Sequence, residues 1–226
     1  MQSVVISEGV TEIGGGAFNG CYKLNLTCKS PHFKVVDNIL YSNDGKRLIS
    51  CWSMKKEIRI PKGVTAIESR AFRDCFTLQS VVIPESVTKI GKCAFRDCFA
   101  LQSVVIPEGV TKIGSWTFYR CSALQSVIIP KGVTKIGDHA FSECSALQSI
   151  VIPNGVTYIG NGAFSFCRNL QSVVFPKGVM NIDELAFSGC YALRKKCLLR
   201  IWLKSLPTMF LEIVSLIRAL FRRKNT

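Results

Sequence analysis

A unit of 23 residues recurs in tandem through most of the chain, and this period constrains the fold more than any other feature of the sequence. A typical copy begins at Leu101 and reads LQSVVIPEGVTKIGSWTFYRCSA. A strict period in this range is typical of a solenoid, in which each short coil contacts only its neighbours. Solenoids commonly work by displaying an extended surface, so the period points to binding.

The repeat register divides the chain into two regions. Seven units of 23 residues and one longer unit, residues 24–54, follow one another without a gap. We therefore predict a solenoid domain over residues 1–192 and a separate basic, amphipathic, helical tail over residues 193–226.

Four positions, numbered from the leading residue of each unit, hold one residue type in all seven regular copies. They are Val at position 10, Ile at position 13, Phe at position 18 and Cys at position 21. Side chains that repeat so strictly must face their own copies in the neighbouring coils, which predicts four buried apolar columns. Pro at position 7 and Gly at position 9 predict a corner between two short extended segments. The A-F-x-x-C spacing after them predicts one helical turn.

The full pattern, L-x-x-V-x-I-P-x-x-V-T-x-I-G-x-x-A-F-x-x-C, resembles the BspA-type leucine-rich repeat over residues 1–192. The chain departs from the commoner leucine-rich repeat, because Gly109 and Gly132 stand where that repeat places Asn or Cys. The resemblance implies a leucine-rich-repeat solenoid that serves in adhesion or protein interaction, at the cell surface or secreted. It implies no catalytic residue.

The longer unit contains an insertion with its own pattern. The segments 35–41 and 47–52 are apolar and strand-like, and Asn43, Asp44 and Gly45 lie between them. An Asp-Gly turn between two such segments is typical of a β-hairpin. We expect a hairpin that interrupts the solenoid without ending it.

Alternation along the first strand of each coil predicts the binding face. If positions 4 and 6 point inward, positions 3 and 5 point outward. Position 5 is apolar in most copies, and an outward apolar row of this length indicates a contact site. Lateral packing between β-branched neighbours in the ladder explains the same row equally well. The predicted face comprises Ser80, Val82, Ser103, Val105, Ser126, Ile128, Ser149, Val151, Ser172 and Val174.

Eleven cysteines in a short chain would ordinarily suggest a disulfide scaffold. Seven of them share position 21, however, and neighbours in one column point the same way, which is poor disulfide geometry. We therefore expect buried, reduced thiols in this column. Outside it lie Cys28, Cys51, Cys93 and Cys197, which are the better candidates for reactivity.

Enzyme chemistry and metal binding have little support in the sequence. A zinc site usually contains a C-x-x-C pair, and the chain has none. His32 and His139 are the only histidines, and His139 occupies a variable position that suggests a solvated surface residue. We expect no enzyme activity, no metal and no cofactor.

The net charge of +14 supports an alternative function. Lys89, Lys112 and Lys135 share position 12 in consecutive units and would form a basic column. A membrane-associating or nucleic-acid-binding protein would use such charges. Nucleic acid is the less expected partner, because readers of nucleic acid usually combine basic patches with aromatic residues or a known motif.

The tail allows three interpretations. The apolar residues of 209–224 have the i, i+3, i+4 spacing of an amphipathic helix. This helix would cap the last coil, or bind an anionic membrane surface, or belong to a segment such as a frame-shifted end. At the other end the first unit begins flush with the chain and shows no signal peptide, so we expect that a longer protein's N-terminal part is missing.

Overall fold

The structure is a computed structural model that describes residues 2–175 and 181–193. These residues form a β-solenoid in which each regular coil contributes one or two short strands and the longer unit, residues 24–54, contributes four. Each coil has three sides: a first strand, a second strand and a turn segment, which we define as positions 14–21 of the unit.

The first strands pair in parallel and occupy positions 1–5, 2–6 or 3–5 of the unit, so the predicted strand of each coil is confirmed. Within the ladder Ser103 lies beside Ser126, and Val105 beside Ile128. These strands are β1 (Gln2–Ile6), β2 (Leu24–Cys28), β6 (Glu57–Arg59), β8 (Ser80–Val82), β10 (Ser103–Val105), β12 (Ser126–Ile128), β14 (Ser149–Val151) and β16 (Ser172–Val174).

The second strands are only two residues long, at positions 12 and 13. They also pair in parallel, for example Lys112 with Lys135 and Ile113 with Ile136. They are β7 (Ala66–Ile67), β9 (Lys89–Ile90), β11 (Lys112–Ile113), β13 (Lys135–Ile136), β15 (Tyr158–Ile159) and β17 (Asn181–Ile182).

The insertion is a three-stranded antiparallel meander, so the predicted hairpin is present with one strand more than expected. Its strands are β3 (Phe33–Val36), β4 (Ile39–Ser42) and β5 (Arg47–Cys51). Asp37 and Asn38, both in the left-handed region with φ of 55° and 61°, divide the segment that the sequence suggested was one strand. Strand β5 then pairs in parallel with β7, which joins the meander to the second-strand ladder.

The meander is buried on both faces because it lies between two parts of the core. Leu40 and Ile49 pack with Phe33 and Trp52 into a cluster shared with the first coil. Tyr41 and other residues of the opposite face belong to the main core. The insertion therefore replaces part of a coil and continues the stack.

The corner after the first strand is a β-turn closed by the proline carbonyl. The Val110 N–H donates to the Pro107 oxygen at 3.0 Å, and equivalent bonds recur along the stack. Glycine follows for two different reasons. Gly63 has a φ of 99°, whereas a Cβ at Gly155 would press against the backbone oxygens of Lys131 and Val133.

The predicted helical turn at A-F-x-x-C is wrong, and no helix occurs within the described residues. Position 16 and position 20 adopt the left-handed region, for example Cys93 with φ 57° and Asp97 with φ 60°. Alternate N–H groups then point to different partners. The Phe95 N–H donates to Thr117 in the next coil, whereas the Arg96 N–H donates to Cys93 in its own. In a helix, by contrast, each of these N–H groups would donate to the carbonyl four residues earlier in the same segment.

Within the described residues, the four predicted columns are buried in the coils that follow the meander. The Phe column is a stack of nearly parallel rings, with centroids 4.9 to 5.3 Å apart from Phe72 to Phe187. In the first coil these positions are only half-buried, and Phe18 packs edge-on against Trp52. Trp52 therefore takes the place of a stacked Phe at the meander.

The position-21 thiols after the first coil are buried and form no disulfide within the described residues. Each donates to a carbonyl one coil away; for example, the Cys121 Sγ lies 3.2 Å from the Phe95 oxygen. The prediction that Cys51 is a better candidate for reactivity than the column thiols is wrong, because β5 carries this residue into the core, where it is 1% exposed. Cys28 and Cys93 are half-buried.

The predictions for the tail fall on residues 194–226, outside the described part of the chain. This applies to the C-terminal helix, to its possible role as a cap or membrane anchor, and to Cys197.

Candidate functional site

The first strands together form one outward surface of the solenoid, which we call the strand face. Positions 4 and 6 point into the core, as Val104 and Ile106 show at 2% exposure each. Positions 3 and 5 point outward, because side chains alternate along a strand. The predicted alternation is therefore present in the fold.

All ten residues predicted for binding lie on the strand face in two adjacent rows. The position-3 serines are exposed in the central coils, and Ser80 and Ser172 are half-buried. The position-5 row is exposed throughout, from 47% at Val82 to 61% at Ile128 and Val151. Exposure to this degree means that lateral packing does not cover these side chains, so an apolar row remains in contact with solvent.

An open groove of about 610 Å³ crosses the strand face at one place. It lies where the ladder is interrupted, since β12 and β14 belong to separate sheets. Ile128, Val151 and Val174 line it from the apolar row. The alternation predicted the row, but nothing in the repeat pattern predicted the interruption.

The second-strand side carries the lysine column that the sequence predicted. Lys112 and Lys135 are register partners, and Lys89 precedes them in the neighbouring coil. All three are exposed. The Lys135 ammonium lies 4.4 Å from the Tyr158 ring centroid, which is a cation–π contact.

The turn segments display a cluster of aromatic and charged side chains that the sequence did not predict. Trp116 stacks on His139 with centroids 4.2 Å apart, and Arg96 lies over the Trp116 ring at 5.5 Å. The Tyr119 hydroxyl donates to Glu143 at 2.6 Å. Burial and this hydrogen bond raise the pKa of Tyr119. His139 lies at the surface, as the sequence suggested, but it is half-buried by its stack on Trp116 and is not freely solvated.

This cluster was missed because its members occupy variable positions of the repeat. The only signal in the sequence was that Trp, Tyr, His and Arg occur together at positions 16, 19 and 20 of adjacent units. Arg120 lies 3.5 Å from both Asp97 and Glu143, so most of the charge is paired within the cluster.

Neither a metal centre nor a spanning segment is found in the described ranges. No group of three or more His, Cys, Asp or Glu side chains there converges as metal ligands would. In the same residues no helix has the length and hydropathy that crossing a membrane requires.

Comparison with known proteins identifies the repeat. The family model of the BspA type leucine rich repeat region matches this chain in six copies, over residues 1–50 and 65–194. No curated protein matches the chain.

Solved structures of bacterial proteins have the same fold. A leucine rich cell surface protein from Faecalibacterium prausnitzii A2-165 is 36% identical with a TM-score of 0.72, covering 79% of this chain and 48% of that one. A leucine-rich repeat protein from Bacteroides ovatus ATCC 8483 is 32% identical with a TM-score of 0.59, covering 71% and 44%. The pneumococcal vaccine antigen PcpA, at 18% identity and a TM-score of 0.70, covers 91% and 53% and is similar in fold alone.

The matched region therefore spans less than half of the first two of these proteins. The family model, by contrast, covers most of the present chain, and its matched range includes the strand face, the lysine column and the turn segments. The chain belongs to the BspA-type leucine-rich repeat family.

Proposed function

We propose that this chain is a non-enzymatic binding module that recognises a protein ligand, at the cell surface, through its strand face. The observation that carries the proposal is the exposed apolar row at position 5. Five β-branched side chains, each about half exposed or more, follow one another along the stack, with the groove between Ile128 and Val151. At the strand spacing of about 4.8 Å, five such positions span at least about 19 Å, which is the scale of a protein contact.

The chemistry of the strand face fits a protein ligand. The apolar row is flanked by serine hydroxyls on one side, so the surface combines apolar area with small hydrogen-bonding groups. The groove at Ile128 and Val151 supplies a concave point at which a partner's apolar side chain would be desolvated. Family membership supports interaction as the role, and the F. prausnitzii relative is described as a cell surface protein.

A comparison of two triple variants tests the proposal. In the first, Val105, Ile128 and Val151 are each replaced by Ser; in the second, the exposed Gln102, Gln125 and Gln148 of the same coils are replaced by Ser. Binding of fluorescently labelled full chain to epithelial cells and to immobilised extracellular-matrix proteins is measured for both. We expect the valine/isoleucine variant to bind about tenfold more weakly, with an unchanged melting temperature, because exposed apolar anchors contribute to affinity and little to folding.

The glutamine variant is expected to bind like the unchanged chain. Equal binding by all three proteins would exclude the apolar row as the contact surface. The turn segments would then be the next candidate surface.

A further inference from the structure

A second groove lies between β9 and β11 on the second-strand side, away from the strand face. It has a volume of about 360 Å³. Lys89, Lys92 and Lys112 line it, together with the Thr88 and Thr111 side chains. None of its lining residues is acidic. A groove with three ammonium groups and no carboxylate has the chemistry of an anion site.

The lysines of this groove are not neutralised by the described part of the chain. No ion pair there involves Lys89, Lys92 or Lys112, and the nearby Glu68 is already paired with Arg47 at 2.8 Å. The residues outside that part contribute a single acidic side chain, Glu212. Like charges on neighbouring strands destabilise a sheet, so the column carries an electrostatic cost that an anion would relieve.

The backbone hydrogen bonds between coils are interrupted at the groove. Along this side of the solenoid, Thr88 donates its N–H to Thr65, and Thr134 donates to Thr111, at 2.9 Å in each case. Within the described residues no corresponding bond joins the Thr111 N–H to the Thr88 oxygen. Likewise, the Gly137 N–H donates to the Ile113 oxygen, but the Gly114 N–H does not donate to the equivalent Ile90 oxygen of the preceding coil. The interruption is also evident in the ladder, because β9 and β11 belong to separate sheets.

The opening between these two coils therefore leaves the Thr111 and Gly114 N–H groups, and equally the Thr88 and Ile90 carbonyl oxygens, without their usual inter-coil partners. Because donors and acceptors are exposed in equal number, the opened backbone favours a polar ligand of either sign. The charge of the lysines then selects an anionic ligand for the groove.

We propose that this groove binds an acidic polysaccharide, with its sulfate or carboxylate groups between Lys89, Lys92 and Lys112 and its chain running along the solenoid axis towards Lys135. The shape favours this polymer over other polyanions. The column is one lysine wide, which suits a single narrow chain better than a duplex. Proteins that bind single-stranded nucleic acid stack bases on aromatic rings, and the groove is lined by none.

Heparin binding by the full chain tests the proposal, with two variants of equal charge. The groove variant carries K89Q, K92Q and K112Q. The control variant carries K23Q, K56Q and K62Q, three exposed lysines that make no ion pair among the described residues. Affinity for a heparin oligosaccharide is measured by calorimetry at several salt concentrations. We expect the groove variant to lose about tenfold in affinity and part of its salt dependence, while the control stays within about twofold.

The same titrations with a single-stranded DNA oligonucleotide and with phosphatidylserine vesicles identify the class of polyanion. We expect the groove variant to change neither by more than the control does. Equal losses of heparin affinity in the two variants, or no heparin binding by the unchanged chain, would overturn the proposal. A larger effect of the groove variant on DNA or vesicles than on heparin would overturn the polysaccharide assignment.

This inference is independent of the proposed function of the strand face. The variant with Ser at Val105, Ile128 and Val151 is expected to keep full heparin affinity. Failure of one proposal is therefore distinguishable from failure of the other.

Discussion

At the residue scale, the cysteine that recurs at position 21 acts as a small buried donor in the coils after the first. Its thiol reaches the Phe carbonyl one coil away, as for Cys98 and Phe72 at 3.1 Å. Each such carbonyl also accepts an N–H group of its own coil. The Phe95 oxygen, for example, accepts both the Cys98 N–H and the Cys121 thiol. A carbonyl oxygen has two lone pairs, so the thiol satisfies an acceptor that a buried alanine would leave half-used.

The buried thiols predict a loss of stability at alkaline pH. Burial raises the pKa of Cys98 and Cys121 well above the ordinary 9.0. Above pH 9 the unfolded chain therefore releases protons that the folded chain retains, and the free energy of unfolding falls as pH rises. We expect a Cys98→Ala/Cys121→Ala variant to be less stable at pH 7.5 but to lose less stability between pH 8.5 and 10.5, by urea titration. Parallel pH profiles for both proteins would contradict this.

At the element scale, the meander is a two-sided partition in the stack. Its opposite faces serve different clusters, with Leu40 and Ile49 towards the first coil and Tyr41 and Leu48 towards the remaining coils. It also provides hydrogen-bond partners that a coil would otherwise supply: Gly16 donates to Ile49, and the Cys51 N–H donates to Ala71. The first coil is therefore attached to the solenoid partly through the insertion. Direct contacts supply the rest, since the Tyr22 hydroxyl donates to the Asp74 carbonyl at 2.7 Å.

Leu40→Ala tests this attachment. Leu40 is fully buried in the first-coil cluster, so its truncation is expected to cost about 2 to 5 kcal/mol, mainly in the local stability of that cluster. Hydrogen exchange should speed up first in β1 and β2, before β10 and β12. Val36→Ala, at a 51% exposed position of the same meander, is the control and should stay within about 0.5 kcal/mol. Equal acceleration throughout the stack would show that the meander is not a partition.

At the scale of the whole molecule, stability is shared between neighbouring coils. The Phe rings from Phe72 to Phe187 form one column, in which each ring stacks on the rings of the adjacent coils. The backbone bonds of the turn segments likewise join adjacent coils only. Damage in one coil is thus expected to spread outward through its two interfaces.

Phe118→Ala is expected to cost about 3 to 5 kcal/mol, because it empties a fully buried ring position in the middle of the column. Trp116→Ala, two residues away and half-buried on the surface, should cost less even though it loses the stack with His139. Urea denaturation gives the totals, and hydrogen exchange should show the coils of Phe95 and Phe141 affected before more distant coils. Equal midpoints for the two variants would contradict the assigned roles.

The sequence by itself determined the period, the four buried columns and the outward row of the strand face, because a side chain repeated at one position of a stack can only face its own copies. It did not determine the path of the turn segment. The A-F-x-x-C spacing fits a helical turn, and only the presence of a neighbouring coil makes alternate N–H groups bond outward, with Cys93 and Asp97 in the left-handed region. The interruptions that create the grooves at β9 and β12 likewise depend on how well two particular coils fit together. Nearly identical repeats cannot encode such a difference locally, so only the tertiary structure decided it.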